Sequence, residues 1–318
     1  MPANMELLIL PAAFALDLLA GDPRWLPHPV RWMGAAITRC EPFFRRRFAS
    51  PARAGCYFAV FLIVATWLLA AAAVGLTRKW YPLAGWFLEI ALVYYSLSAR
   101  SLLQAGMDVF DALGAKGVAA GRRMVAHIVG RDVSRLDRSG VSRAALESVA
   151  ENMVDGVIAP LFFAALGGAP LALTYKMINT LDSMVGYTNE NYLLFGRAAA
   201  RIDDAANWLP ARLAVGLTAI GAGLTGFNAR QAWRTGWRDG RLHASPNAGF
   251  AEAAFAGALR VRLGGPNVYH GRIVAKPWIG ATLKDVQPGD IVRAGVLMLT
   301  TATLAMLLLW SIRALIWL

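Results

Sequence analysis

The stretch GVIAPLFFAALGGAPLALTYKMINTLDSMVGYTNE, residues 156–190, decides the fold of this chain. Its first part, residues 156–175, carries no charge, and about 20 mostly apolar residues are enough for a helix to cross a bilayer. Residues 166–170 read LGGAP, in which two flexible glycines precede a proline that removes a backbone donor. We therefore expect a membrane helix that breaks at mid-membrane and carries Lys176 inside the apolar layer.

Similar apolar runs recur along the chain. The other uncharged or nearly uncharged segments are residues 54–77, 80–99, 205–211 with 213–229, and 294–312. A weaker candidate, residues 7–21, is short and is interrupted by Asp17. The composition is 57% hydrophobic and only 16% charged, whereas soluble proteins carry roughly a quarter charged residues. We expect an all-α, polytopic integral membrane protein with about four to six membrane helices.

Two polar inserts separate the apolar runs, at about residues 100–155 and 228–293. Neither insert has an alternating strand pattern of useful length, so both are expected to be helical. The length of the chain alone would allow two domains. The apolar runs nevertheless favour a single membrane-embedded domain over residues 1–318.

The net charge of +12 is concentrated between the apolar runs. Residues 21–54 hold seven arginines against two acids, and residues 228–293 hold ten basic residues against four acids. The positive-inside rule places both segments in the cytoplasm, although some of these residues also suit phosphate recognition. No nucleic-acid reader motif accompanies the charge, so nucleic acid is not an expected partner. Cys40 and Cys56 indicate neither a disulfide framework nor a zinc site.

The polar interval 182–204 admits two topologies. If residues 156–180 and 205–227 both cross the bilayer, the interval lies outside the cell, which agrees with its two basic and four acidic residues. If the chain instead breaks at LGGAP, residues 156–207 enclose a polar cavity open to the cytoplasm. Such a break is allowed only where protein or water satisfies the backbone. We favour the second topology as a hypothesis.

An acidic stripe precedes the first apolar half of this stretch. In LESVAENMVDG, residues 146–156, the acids Glu147, Glu151 and Asp155 fall at i, i+4 and i+8 on one helix face. Acids on one stripe repel one another unless Mg²⁺, a cationic substrate group or arginine compensates. The alternative interpretation is an ordinary solvated acidic face.

A second polar face follows the break. Lys176, Asn179 and Ser183 share one face of a helix, with Asp182 beside it. An ionisable group inside a membrane is costly, and therefore indicates a functional site. The alternative is that Lys176 only extends its ammonium to the membrane interface.

A third polar cluster lies in FGRAAARIDDAANWLPARL, residues 195–213. Arg197 and Arg201 are one helical turn apart, and Asp204 follows Arg201 at i+3, so an ion-pair ladder would explain all three. Asp203 and Asp204 could instead hold Mg²⁺, which takes one or two carboxylates plus substrate phosphate oxygens.

A fourth candidate is a helix start in HASPNAGFAEAAFAGALRVRLGGPN, residues 243–267. We expect Ser245 as N-cap, Pro246 at the first helical position and a helix end at residues 264–266. A helix N-terminus suits a phosphate, but an ordinary cap explains these two residues equally well. An ordinary cap does not explain Asn247 or Glu252.

A fifth cluster lies in LDLLAGDPRWLPHPVRWMG, residues 16–34. Asp22, Arg24 and His28 follow the first apolar run, in a loop that three prolines stiffen. A lone histidine is more often structural, but with Asp22 and Arg24 beside it a functional role for His28 is an equal alternative.

These stretches together resemble the adenosylcobinamide-phosphate synthase family, the CbiB/CobD membrane proteins of cobalamin biosynthesis. The resemblance is carried, in chain order, by GDPRWLPHPVRWMG, GRDVSRLDRSGVSRAALESVAENMVDGVIAPLFFAALGGAPLALTYKMINTLDSMVGY, FGRAAARIDDAANWLPARL and SPNAGFAEAAFAGALRVRLGGPN. It spans nearly the whole chain, and only residues 54–99 and the C-terminal run are generic.

The resemblance implies an enzyme that joins aminopropanol, or its O-phosphate, to a free carboxylate of adenosylcobyric acid through an amide bond. Because amide formation from a carboxylate is uphill in water, the resemblance implies ATP as co-substrate together with Mg²⁺. An acyl phosphate attacked by the amine is the expected route. The resemblance also implies a place in the bacterial inner membrane, with the active site facing the cytoplasm, and other cobalamin-assembly enzymes as partners.

The residue types and the resemblance together give three sets of candidate site residues. Carboxylates suit Mg²⁺ or an amine, cations suit phosphate or carboxylate, and asparagines suit the amides of a corrinoid. The candidate catalytic residues, among which one carboxylate or His28 acts as base, are Lys176, Asp182, Glu147, Glu151 and His28. The candidate Mg²⁺ ligands are Asp182, Asp203 and Asp204. The candidate substrate-binding residues are Asp22, Arg24, Asn152, Asp155, Asn179, Tyr187, Asn189, Arg197, Arg201, Asn207, Arg212, Ser245, Asn247, Glu252 and Asn267.

Two functions from other classes compete with this interpretation. A corrinoid transporter would also use a broken helix and a charged residue at mid-membrane, although no paired broken helix is found in a second half of the chain. A non-catalytic membrane scaffold for soluble corrinoid enzymes is the other alternative.

Overall fold

The computed structural model describes residues 3–23, 25–187, 189–269 and 272–317. Helices dominate these residues, which confirms the all-α prediction. The helices are α1 Ala3–Leu7, α2 Ile9–Ala20, α3 Pro29–Arg47, α4 Pro51–Trp80, α5 Pro82–Tyr94, α6 Ala99–Ala115, α7 Gly117–Val125, α8 Arg138–Met153, a π-helix Val154–Ile158, α9 Ala159–Val185, α10 Arg197–Leu224, α11 Ala229–Asp239, a 3₁₀ turn Gly240–Leu242, α12 Ala248–Leu259 and α13 Pro288–Trp317.

Short strands interrupt the second polar insert, where only helix was expected. The strands form two antiparallel pairs, and each strand has two or three residues. The pairs are β1 Leu263–Gly264 with β4 Trp278–Ile279, and β2 Asn267–Tyr269 with β3 Arg272–Val274. The predicted helix end at residues 264–266 is therefore wrong. Helix α12 ends at Leu259 because Arg260 takes a left-handed conformation, with φ of 58°, and the chain then enters β1.

Three helical stretches among the described residues are long and apolar enough to cross a membrane: Pro51–Trp80, Arg138–Val185 and Pro288–Leu315. This number is below the predicted four to six. The apolar runs at 7–21 and 80–99 fold as α2 and α5, of 12 and 13 residues, and a helix of 13 residues extends only about 20 Å. The membrane character of the chain is confirmed; the two short runs do not supply full spans.

The chain divides into two compact units, and the first comprises Met1–Ser98, Ala159–Asn207 and Met306–Leu318. In this unit α4 packs against α3, α5 and α9. Its core is aromatic and aliphatic, with Ile37, Phe58, Leu181 and Phe195 almost completely buried. One face of α4 stays exposed and apolar, as expected of a helix that faces lipid: Tyr57, Val60, Phe61, Val64, Trp67 and Leu68.

Helix α9 breaks where LGGAP predicts it. Gly167 and Gly168 leave the helical conformation, and Gly168 has φ of 66° and ψ of −159°, a region that only glycine adopts without strain. Pro170 then lies in the first turn of the second half of the helix, where its missing N–H costs nothing. The helix break predicted from the sequence at LGGAP is thus confirmed.

Charged side chains of the first unit satisfy the backbone at this break. On one side of it, Arg313 Nη1 donates to the carbonyl of Ala164 at 2.8 Å. On the other side, the N–H of Ala169 donates to Glu89 Oε1 at 3.3 Å. An unpaired backbone group in hydrocarbon costs several kcal/mol, so these two contacts explain how the break is tolerated.

The two side chains at the break belong to a buried ion-pair network. Arg78 bridges the carboxylates of Glu6, at 2.9 Å, and Glu89, and Arg313 Nη2 lies 3.8 Å from Glu6. Glu6, Glu89 and Arg313 are all less than 10% exposed. Because each buried charge here has an opposite charge beside it, the network avoids the penalty of an isolated ion.

The second unit comprises Ala99–Ile158 and Trp208–Ala305. At its centre lies α12, which packs against α8 and α11 and is buried from Gly249 to Leu259 on every face. A helix that is apolar all round belongs in a core, and Glu252 is the one ionisable residue of α12. Gly257 permits the close approach of α11, because a Cβ there would collide with the carbonyl of Gln231.

Replacing Gly168 with alanine should destabilise the protein, because the backbone conformation is unfavourable and the new methyl group collides with Glu89 Oε1. We expect a loss of about 1–3 kcal/mol, measured as a lower midpoint of thermal unfolding in detergent. Gly75→Ala is the matched control, since Gly75 lies inside α4 with no atom within 4 Å of the added Cβ. Equal midpoints for the two variants would contradict the assigned role of the break.

Candidate active site

The candidate residues fall into both compact units, and each unit forms its own polar cluster. The first unit holds Asp22, His28, Lys176, Asn179, Asp182, Tyr187, Asn189, Arg197, Arg201, Asp203, Asp204 and Asn207. The second unit holds Glu147, Glu151, Asn152, Asp155, Arg212, Ser245, Asn247, Glu252 and Asn267. Arg24 lies outside the described residues.

A polar cleft opens in the second unit between α8, the loop before it and the N-terminal part of α12. We name it the glutamate cleft; the titratable side chains that line it are Arg131, Glu147, Glu151, His243, Glu252 and Lys276. Its volume is about 210 Å³, whereas sites for drug-sized ligands occupy roughly 300–1,000 Å³. The cleft therefore suits a small charged group rather than a whole large ligand.

Local sequence explains how α8 presents its acids to the cleft. Asp137 caps the helix by accepting from the N–H of Gly140 at 2.7 Å, and Arg122 Nε donates to the Leu136 carbonyl at 2.6 Å. The predicted spacing then brings Glu147 and Glu151 into the same cleft. Asp155 does not line the cleft, because the π-helix that starts at Val154 widens the turn and changes the helical register.

Glu147 is fully engaged within the second unit. Its Oε2 accepts from Arg131 Nη2 at 2.6 Å, and its Oε1 accepts from the backbone N–H of Gly264 at 2.7 Å. The side chain is 8% exposed. Both carboxylate oxygens are therefore committed to holding the loop before α8 and strand β1, which is a structural role.

Glu252 projects from α12 into the cleft and is 4% exposed. Burial raises its pKa well above the ordinary value, and the charges of Glu147 and Glu151 raise it further. His243 Nε2 lies 4.0 Å from Glu252 Oε1. Burial lowers the pKa of His243, and Lys276 lowers it further. The cleft thus holds a carboxyl with a raised pKa beside an imidazole that stays neutral.

The turn before α12 is built from residues predicted to bind substrate. Ser245 Oγ accepts from the N–H groups of Asn247 and Ala248, at 3.3 and 3.2 Å, but the helix begins at Ala248 and not at Pro246. Arg212 Nη1 donates to Asn247 Oδ1 at 2.6 Å and Nη2 donates to the Pro246 carbonyl at 3.1 Å. The hydrogen bonds from Arg212 to Asn247 and Pro246 therefore hold this turn in place.

Two further asparagines have different surroundings. Asn152 is exposed and donates to the Ser148 carbonyl at 2.9 Å, so it stays on its own helix. Asn267 in β2 is 4% exposed, and its Oδ1 has no hydrogen-bond partner among the described residues. A buried acceptor without a donor is unusual.

The first unit holds a second polar cluster on α9 and α10, which we name the aspartate cluster: Tyr175, Asp182, Asp203, Asp204 and Asn207. Tyr175 donates from its hydroxyl to Asn207 Oδ1 at 2.9 Å, and Asn207 Nδ2 donates to Asp203 Oδ2 at 3.0 Å. Asp182 and Asp204 are close enough for their charges to interact unfavourably. Burial also raises the pKa of Asp204.

The aspartate cluster fits part of a magnesium site. Mg²⁺ prefers carboxylate oxygens and often uses only one or two of them, with substrate phosphates and water completing the shell. A cation between Asp182 and Asp204 would relieve their repulsion. Within the described ranges no group of three or more His, Cys, Asp or Glu side chains is placed to hold a metal, so a cage built only from such side chains is not formed there.

The other predicted residues of the first unit lie at its surface or in a cap. Tyr187, Asn189, Arg197 and Arg201 are exposed, and Lys176 and Asn179 are half-buried in α9. Both ring nitrogens of His28 are engaged: Nδ1 accepts from the Val30 N–H at 3.3 Å, and Nε2 lies 3.3 Å from Asp22 Oδ1. His28 therefore caps α3, which leaves little capacity for acting as a base.

Three of the titratable residues that line the cleft were not predicted from the sequence: Arg131, His243 and Lys276. His243 lies two residues before Ser245, and a histidine so close to a predicted N-cap was an available signal. Arg131 begins the turn before α8. Lys276 lies in the strand-containing segment that was expected to be helical, so no local signal could have placed it in the cleft.

Comparison with known proteins identifies relatives over almost the full length. A family model described as "CobD/Cbib protein" matches residues 10–298. "Cobalamin biosynthesis protein CbiB" of Salmonella typhimurium strain LT2 is 45% identical over 312 residues, which are 97% of this chain and 98% of the relative. "Cobalamin biosynthesis protein CobD" of Klebsiella pneumoniae is 45% identical with the same coverage. No solved structure matches the chain.

If Glu147 is structural, Glu147→Ala should lower the stability of the protein by about 3–5 kcal/mol, because it leaves Arg131 and the Gly264 N–H buried without their partner. Glu151→Ala is the control on the same helix face; Glu151 is exposed, and its loss should change stability by about 0.5 kcal/mol or less. Thermal unfolding in detergent compares the two. A Glu147→Ala variant as stable as wild type but inactive would give Glu147 a catalytic role instead.

Proposed function

The chain belongs to the CobD/Cbib protein family, and on this premise we propose that it is an enzyme of cobalamin biosynthesis. Its activity is that of an adenosylcobinamide-phosphate synthase: it forms an amide between a carboxylate of adenosylcobyric acid and aminopropanol or its O-phosphate. The observation that supports this activity best is the glutamate cleft, which gathers acidic and basic side chains in a small volume.

The reaction needs an energy source, because a carboxylate and an ammonium ion do not condense spontaneously in water. ATP phosphorylates the corrinoid carboxylate, forming an acyl phosphate and releasing ADP. The amine nitrogen then attacks the acyl carbon, the C–O bond to phosphate breaks, and the amide and inorganic phosphate result. The protein must therefore bind an amine, neutralise phosphate charge and take up a proton.

The glutamate cleft is the site we propose for the amine substrate. Its volume of about 210 Å³ matches a short amino alcohol better than a corrinoid. Glu151, and Glu252 in its ionised form, supply negative charge for an ammonium group. Lys276 supplies a cation for an anionic group carried by the same molecule or by the activated carboxylate. Arg131 contributes further positive charge, although one of its nitrogens is held by Glu147.

The aspartate cluster is the site we propose for Mg²⁺, with Asp182 and Asp204 as its protein ligands and Asp203 beside them. When bound there, the ion would supply positive charge to phosphate oxygens. Asn207 orients Asp203 through its amide, and Tyr175 orients Asn207 through its hydroxyl. Lys176, on the same helix as Asp182, provides a further cation for phosphate.

The enzyme is proposed to lie in the bacterial inner membrane with the glutamate cleft facing the cytoplasm. The three apolar helical stretches support the membrane location. The basic segment 228–293, which contributes His243 and Lys276 to the cleft, supports the cytoplasmic side through its ten basic residues against four acids.

The proposed activity is tested with purified protein, adenosylcobyric acid, aminopropanol or its phosphate, ATP and Mg²⁺. We expect mass spectrometry to find the amide product, with ADP formed only when both organic substrates are present. Asp182→Ala should abolish the product while membrane insertion stays normal, and Glu190→Gln, an exposed acid outside both clusters, should retain wild-type yield. Corrinoid uptake into vesicles without chemical change would favour a transporter, and no product and no uptake would favour a scaffold.

The proposed orientation is tested by labelling a single cysteine with a membrane-impermeant maleimide. After replacement of Cys40 and Cys56 with serine, Ala244→Cys places an exposed thiol next to His243. We expect labelling in inside-out vesicles and protection in intact cells. Asn189→Cys, also at an exposed position, gives the side on which the interval 182–204 lies. Labelling of Ala244→Cys in intact cells but not in inside-out vesicles would refute the cytoplasmic orientation.

A further inference from the structure

One acid of the glutamate cleft differs from the others in its surroundings. Glu252 is the single ionisable residue of α12, a helix that is buried from Gly249 to Leu259. Glu147 is already bound by Arg131 and the Gly264 N–H, and Glu151 is exposed to solvent. Glu252 is therefore the cleft carboxyl that combines burial with access to the cleft.

His243 faces Glu252 in a defined orientation. The backbone N–H of Ser245 donates to His243 Nδ1 at 3.0 Å, so a neutral imidazole carries its proton on Nε2. His243 Nε2 lies 4.0 Å from Glu252 Oε1, beyond hydrogen-bond distance, so a small movement of either side chain would bring the Nε2–H into contact with the carboxylate. Gly249 allows this approach, since a Cβ at that position would collide with the Gly240 carbonyl and with His243 Cβ.

We propose that Glu252 is the catalytic base that removes a proton from the substrate ammonium group, and that His243 is a positioning residue that directs the carboxylate through its Nε2–H. The proposal rests on the proposed amide-forming function. It replaces Glu147 and His28 as candidate bases, because both are occupied by structural contacts.

The proton and electron balance of the step is simple. The ammonium group transfers one proton to the Glu252 carboxylate, which leaves a neutral amine and a carboxylic acid. The nitrogen lone pair then forms the bond to the acyl carbon while the phosphate leaves with its bonding electrons. The second proton lost by nitrogen goes to the departing phosphate. An ammonium and carboxylate pair removed from water favours this neutral form over the charged form.

The charged and titratable groups around Glu252 affect how readily it accepts the proton. The titratable and charged side chains that face it are Arg131 from the loop before α8, Glu147 and Glu151 from α8, His243 from the turn before α12, and Lys276 from the segment between β3 and β4. Burial, followed by the charges of the two glutamates, raises the pKa of Glu252, which makes it a stronger proton acceptor when ionised. The lowered pKa of His243 keeps the imidazole a neutral donor near neutral pH.

The test of the base is Glu252→Gln, assayed for amide formation as a function of pH. We expect kcat to fall by about 10²–10⁴-fold near pH 7, the usual contribution of a general base. An alkylammonium group titrates near pH 10, as lysine does, so the variant depends on amine that has already lost its proton. Its rate should rise about tenfold per pH unit and its defect should shrink towards pH 9. A defect that stays constant across this range, or a wild-type rate, overturns the proposal.

The role of His243 is tested with two amides of different reach. Asparagine can still accept from the Ser245 N–H but does not reach Glu252, whereas the amide nitrogen of glutamine can replace Nε2–H. We expect His243→Asn to lower kcat by at least tenfold with little change in KM, and His243→Gln to retain more of the rate. Wild-type rates for His243→Asn, or equal losses in both variants, would leave His243 with only a structural role in the turn.

The controls separate failure of this inference from failure of the proposed function. If wild-type protein forms no amide, the proposed function is overturned, and the assignment of Glu252 as its base falls with it. If wild-type protein forms the amide and Glu252→Gln does so equally well, only the assignment of the base is wrong. Glu190→Gln makes the same chemical change at an exposed position outside the cleft and should behave as wild type. Thermal unfolding in detergent confirms that each variant is folded.

Discussion

The pairing of buried charges with a broken helix is the constraint on which the first unit depends. At Gly167 and Gly168 the chain leaves the helical conformation within an apolar segment, where an unpaired backbone group is costly. The Glu89 carboxylate accepts the Ala169 N–H, and the Arg313 guanidinium donates to the Ala164 carbonyl. Arg78 and Glu6 complete the charge balance. The polar residues in these apolar helices are thus structural partners of the break.

In the second unit a buried carboxylate is also satisfied by contacts within the fold, but one further buried carboxyl faces a cleft instead. Glu147 holds a backbone N–H and an arginine, as Glu89 does, and both carboxylates are therefore satisfied by the fold. Glu252 is just as buried, but it opens onto a cleft and faces a neutral imidazole. A buried carboxyl with a raised pKa is suited to proton transfer, because its ionised form is a stronger proton acceptor than an ordinary carboxylate.

The segments that form the helix break and the polar clusters could be predicted from the sequence more accurately than the roles of single residues. The break at LGGAP and the membrane character were both predicted and confirmed. Glu147, Glu151 and Glu252, which were selected from two separate stretches of the sequence, line one cleft, and their roles in a site stay predictions. The boundaries of α12 were wrong at both ends, because neither the Ser245 turn nor the left-handed Arg260 has a strong local signature.

The sequence by itself determined the apolar runs, the break in α9 and the family to which the chain belongs, because periodicity, glycine–proline chemistry and residue identity are all local properties. Only the tertiary structure decided which polar side chains are structural and which face a cleft. Glu89 reaches Ala169 across 80 residues of sequence, and Glu147 reaches Gly264 across 117. Contacts of that separation depend on how whole helices pack, and no short pattern in the sequence records them.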